Sequence, residues 1–218
     1  MSPAIKTLLA VCLAILLLGA GATTWLFLRR GPAGADYVEA RVGDLRLAYP
    51  AAYARFPPGR NGGRLDSLEI AATFPDLRPA GEATLPLTGV KPGSPALVFL
   101  SIGPAERKLD PADLVSMLYS RFLEADVVET DNGLIRRAFQ DGSPYDGEDL
   151  YFAPPEGRAF AARCAKPTVP PDGLPETCIA ALREQGADVE MRFTTALLPQ
   201  WEKLAEGMRA LVKSMMAR

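Results

Sequence analysis

The spacing of apolar residues changes character several times along the chain, and each change predicts a different element. Residues 7–28, TLLAVCLAILLLGAGATTWLFL, contain no charged side chain. At 1.5 Å rise per residue a helix of that length covers a hydrocarbon core of about 30 Å. Lys6 bounds the run on one side and Arg29-Arg30 on the other, with Trp25 and Phe27 placed where aromatic rings meet lipid headgroups. A signal peptide cut after Ala22 is the competing reading, because Ala20-Gly21-Ala22 is a small-residue site. The apolar run continues past that site, so an uncleaved anchor is expected. Cys12 follows Val11 where a lipoprotein motif needs a small residue, and it reads as one more apolar side chain in the span.

Beyond a short linker the period falls to two. Residues 37–42 and 45–49 alternate on either side of Gly43-Asp44 and predict a hairpin. The stretch 64–74 alternates again, with Leu68, Ile70, Ala72 and Phe74 on one face. Proline and glycine dominate 75–95 and predict a long loop. Residues 96–102 form an unbroken apolar run suited to a strand covered on both faces. Asp110-Pro111 then opens a predicted helix reaching about Leu123. Asp caps free N–H groups, Pro suits the first helical turn, and Leu114, Met117, Leu118, Arg121 and Phe122 recur at helical spacing.

Period two returns in 133–139, 148–152, 158–164, 178–183 and 188–193, with short glycine- or proline-bearing connections. Connections this short join antiparallel neighbours, because parallel ones need crossovers of a dozen residues or more. The last element is a predicted helix over 196–216 whose stripe is Leu197, Trp201, Leu204, Met208, Leu211 and Met215. The expected fold class is therefore α+β. A transmembrane helix precedes one domain with a mostly antiparallel sheet (hairpin, central strand, helix, meander), covered by the C-terminal amphipathic helix. The expected organisation is a cytoplasmic tail at 1–6, a signal-anchor helix at 7–28, a linker at 29–36 and a soluble domain at 37–218.

Charge and composition narrow the chemistry. Lys6, Arg29 and Arg30 set aside, the chain holds 21 basic side chains against 26 acidic ones. This excess of acid does not suit phosphate binding, and no nucleic-acid partner is expected. Histidine is absent. That closes Ser-His-Asp and Cys-His activation, zinc sites built on imidazole and histidine ligation of haem. No catalytic residue, cofactor site or metal site is assigned, and an enzyme is not the expected reading.

Two cysteines remain in the domain. Cys164 ends one predicted strand and Cys178 begins the next, across a proline-rich loop. This placement predicts a disulfide, which persists in the periplasm or outside the cell. Charge counting alone would keep the domain in the cytoplasm, since Arg29, Arg30, Arg41 and Arg46 outnumber Lys6 and the terminal amine. That rule is weak for long translocated domains, and the cysteine pair outweighs it. The expected location is the inner membrane, single-pass through residues 7–28, with the C-terminal domain in the periplasm or outside the cell.

The densest polar cluster is 140–149, which includes Asp141, Asp146, Glu148 and Asp149. Pro144 and Tyr145 occupy its middle, so no calcium-loop register fits, and a solvated turn is the expected reading over a catalytic carboxylate pair. Arg136-Arg137 beside it are expected to pair with those acids. The C-terminal helix carries Lys203, Arg209 and Lys213, but Glu202 and Glu206 interrupt the positive face, and packing on the sheet is expected. The proline pairs, including Pro170-Pro171, read as passive loop. These features point to an accessory domain that contacts another envelope protein. A small-molecule or lipid-binding module between sheet and helix is the alternative, and an enzyme built on the carboxylates of 141–149 is the third reading.

Overall fold

The computed structural model describes residues 36–80, 95–106, 108–166 and 176–216. The expected tail, anchor and linker up to residue 35, residues 81–94 of the loop expected over 75–95, and Pro170-Pro171 lie outside the described residues. Among the described residues no helix is long and apolar enough to cross a membrane.

The first hairpin forms as its alternation requires. Strands β1 (Tyr37–Val42) and β2 (Leu45–Pro50) pair antiparallel with Val42 opposite Leu45. A short helix, α1 (Pro57–Asn61), leads into β3 (Gly63–Leu65), which joins β1 in parallel. Gly62 makes this approach possible: φ is +71°, and a Cβ there would lie 2.4 Å from the carbonyl oxygen of Glu39.

The stretch read as one strand over 64–74 is divided between two sheets. Leu65 ends β3, whereas β4 (Leu68–Phe74) begins the large sheet beyond Asp66-Ser67. That sheet contains β4, β5 (Ala96–Pro104), β6 (Val128–Glu129), β7 (Ile135–Ala138), β8 (Glu148–Phe152), β9 (Ala161–Ala165), β10 (Thr177–Glu184) and β11 (Ala187–Thr194). Its spatial order is β4-β5-β11-β10-β9-β8-β7-β6, antiparallel throughout. The run from β7 to β11 is the expected meander, and β6 adds an unpredicted strand at its outer end. The turn between β10 and β11 is Gln185-Gly186, with φ of 49° and 81°, which matches the right-handed twist of a two-residue hairpin.

The helix expected from 110 to 123 is broken into three pieces. Asp110 does cap it, accepting from the Ala112 N–H at 2.9 Å. Then follow a 3-10 turn at Pro111–Asp113, α2 (Leu114–Met117) and a second 3-10 turn at Tyr119–Arg121. Ser116 and Ser120 donate their hydroxyls to the carbonyls of Asp113 and Ser116, a local competition that bends helices. The stripe is displaced as a result. Val115 and Leu123 are buried, whereas Met117, expected inside, is 57% exposed.

The C-terminal helix keeps its expected face. A 3-10 segment at Thr195–Gln200 contains Pro199 and leads into α3 (Trp201–Met215). Leu204, Met208, Leu211, Val212 and Met215 are buried against the sheet, with Trp201 partly buried.

Alternation lets the large sheet serve two cores. Leu47, Tyr49, Leu68, Ile70, Leu100 and Met191 join the α3 residues in the main one. Val115, Leu123, Phe139, Leu150 and Phe152 form a second, under α2. Strand β8 feeds both, with Leu150 and Phe152 in the smaller cluster and Tyr151 against the larger. Gly157 fits the smaller cluster because φ is +76° and a Cβ would meet Val115 at 2.5 Å.

Candidate functional site

The cysteines sit where the strands bring them face to face. Cys164 of β9 is directly opposite Cys178 of β10, and their sulfurs are bonded at 2.01 Å with the Cα atoms 4.0 Å apart. Both are buried within the main core. The expected disulfide is thus present as an internal tie between neighbouring strands.

The carboxylates of 141–149 disperse instead of converging. Asp141 and Asp146 are exposed, and Asp146 accepts from the Gly142 N–H at 3.1 Å to close the turn. Glu148 pairs with Arg163, whose guanidinium also lies 4.8 Å from the Tyr145 ring centre. Asp149 is buried and pairs with Arg136 at 3.3 Å. Adjacent residues of a strand point to opposite faces, so Glu148 and Asp149 cannot share one substrate. The expected pairing of arginine with this cluster holds for Arg136. Arg137 instead donates to the carbonyl oxygen of Glu124.

The space between sheet and α3 is filled. A cleft reaching from Ala205 and Arg209 of α3 to Leu182 of β10 holds about 50 Å³, room for little more than water. Ligand pockets typically measure about 300–1,000 Å³. A larger hollow of about 370 Å³ lies elsewhere, on the surface beside Phe56, Arg64 and Glu69.

Burial also displaces three tyrosine pKa values. Tyr49, whose hydroxyl donates to the Gly59 carbonyl at 2.7 Å, is raised by desolvation. Tyr53 is raised by burial and then by Tyr37, and Tyr151 by burial and then by the charge of Asp149. A tyrosine with a raised folded pKa stabilises the fold fully below its ordinary value of about 10, and that contribution is lost as pH rises through the raised value. Denaturant titrations are therefore expected to show stability falling above about pH 10. Tyr49→Phe should be less stable at neutral pH, by about 1–2 kcal/mol for the lost buried hydrogen bond, yet should fall less steeply in alkali. Parallel alkaline limbs in the two proteins would contradict this assignment.

One feature escaped sequence reasoning altogether. Strand β6 is two residues long and set among charges, so it carries no period to detect. It nevertheless forms one end of the large sheet, and Val127 and Val128 stand 56% and 43% exposed there.

The fold and the covalent tie together define a disulfide-bonded α+β module with a C-terminal helix. No protein-family model and no curated protein sequence matches the chain. Among solved structures, it is similar to an immunity protein of the Stenotrophomonas maltophilia type IV secretion system. The TM-score is 0.56 at 14% identity, over 87% of this chain and 98% of that one. The iron-regulated outer membrane lipoprotein FrpD of Neisseria meningitidis gives a TM-score of 0.48 at 12% identity, over 83% of this chain and 92% of that one. The first of these shows a shared fold.

Proposed function

We propose that this chain is an inner-membrane-anchored periplasmic domain that binds another protein of the cell envelope and performs no catalysis itself. The observation that carries the reading is the buried Cys164–Cys178 disulfide, a bond that persists in oxidising compartments and is rare in the cytoplasm. The uncharged run at 7–28 supplies the tether. The dispersal of the carboxylates and the filled space beneath α3 favour a protein partner over a small substrate. The fold shared with an immunity protein of a type IV secretion system makes proteins of such a system the first partners to test.

The test is photocrosslinking in intact cells from several exposed positions of the full chain, with a variant lacking residues 7–28 as control. A defined envelope protein should be captured by the tethered form and lost, or sharply reduced, without the span. Thiol alkylation of the same cells should leave Cys164 and Cys178 unmodified until reductant is added. Capture by neither form, or free thiols without reductant, would overturn the reading.

A further inference from the structure

We infer that the edge of the large sheet at residues 124–130 binds an extended, lysine- or arginine-rich segment of the partner by strand addition. This rests on the protein-binding reading above and specifies the surface and the partner's chemistry.

The two ends of the sheet are treated differently. Along β4 the outer edge is occupied by the chain's own backbone. The Arg55 N–H donates to Glu69 O, the Thr73 N–H to Arg78 O and the Ala80 N–H to Ala71 O, each at 2.9–3.0 Å. At the opposite end, β6 pairs on one side alone among the described residues, with Val128 opposite Arg136 and Glu129 opposite Ile135 of β7, and the Glu124 and Thr130 amides also donate inward, to Ala138 O and Leu134 O. A terminal strand with one side unpaired is the template that an added strand uses.

The edge is also held in shape. Glu124 N–H donates to Ala138 O at 3.0 Å and Gln140 N–H to Phe122 O at 2.8 Å, while Arg137 grips the Glu124 carbonyl. At the other end Thr130 bonds Leu134. The Asn132 side chain donates to Leu198 O at 2.7 Å, and the Trp201 indole N–H donates to Asn132 O at 3.0 Å. The strand is pinned to β7 at one end and to the start of α3 at the other, so little ordering entropy remains to oppose an incoming segment.

Charge selects the occupant. Glu124, Asp126, Glu129 and Asp131 are exposed around Val127 and Val128, and none forms an ion pair with a described residue. Pairing with a second copy would set these carboxylates against one another, which disfavours self-association. A cationic strand meets the same groups favourably and covers both valines.

The direct test uses the full chain in detergent micelles and a synthetic ten-residue peptide of alternating valine and threonine with lysines at both ends. The peptide should bind, weaken as salt rises, and slow hydrogen exchange at the amides of 124–130. Glu129→Lys, a surface change that spares the fold, should weaken binding at least tenfold. A peptide with glutamate in place of lysine, or with a central proline, should not bind. Absent binding, protection located elsewhere, or unchanged affinity in Glu129→Lys would overturn the inference. In cells, crosslinkers at Val127 should capture the partner through a lysine- or arginine-rich segment. Capture only from Tyr37, Phe56 or Met117 would overturn the edge while sparing protein binding, and capture from no position would remove both.

Discussion

Leu204→Ala is expected to lower the unfolding free energy by about 2–5 kcal/mol, because it empties the contact between α3 and both sheets. Leu204 has no solvent exposure and lies in the main core with Met208, Leu211 and Val212. Truncation removes buried methyl groups and leaves a cavity that rigid neighbours refill only in part. A domain of this size has about 5–15 kcal/mol of stability in total, so a large share of it depends on this one side chain. Lys203→Ala, one position earlier on the exposed face, should change stability by at most about 0.5 kcal/mol. Urea unfolding followed by tryptophan fluorescence would measure both, since Trp201 lies at the first turn of the same helix. Equal effects at the two positions would show that α3 does not bury the stripe assigned to it.

Loss of the disulfide is expected to cost about 3 kcal/mol by the chain-entropy estimate for a loop of this length. The double substitution Cys164→Ala, Cys178→Ala opens the connection between β9 and β10 while leaving the rest of the sheet in register. Reductant should lower the unfolding midpoint of the wild-type chain toward that of the double variant, and should leave the variant unchanged. The reduced chain should also show more hydrogen exchange around the strands the bond ties together. If wild type and variant unfold together under oxidising conditions, the bond does not contribute to the fold, and the compartment argument weakens with it.

Several parts of this architecture were legible from spacing alone. The hairpin at Gly43-Asp44, the apolar run that becomes β5, the meander from β7 to β11 and the stripe of α3 each repeat a period long enough to mark a buried face. The cysteine pair was legible because each residue sat at the end of a strand, and antiparallel pairing across a loop brings such ends together. The region from 110 to 123 was misread for a local reason. Serine hydroxyls compete for helical carbonyls there, and the resulting turns rotate Met117 out and Val115 in. The break at Asp66-Ser67 was invisible because one alternating stretch can serve two sheets without changing its pattern.

By itself, then, the amino-acid order determined the elements that bury a continuous face, the α+β class and the disulfide, because burial leaves a periodic trace in the side chains. Tertiary structure alone decided the order of strands in the large sheet, the division of its faces between two cores, and the exposure of Val127 and Val128 on an acidic edge. Those properties depend on which distant segments become neighbours, and no local pattern records them.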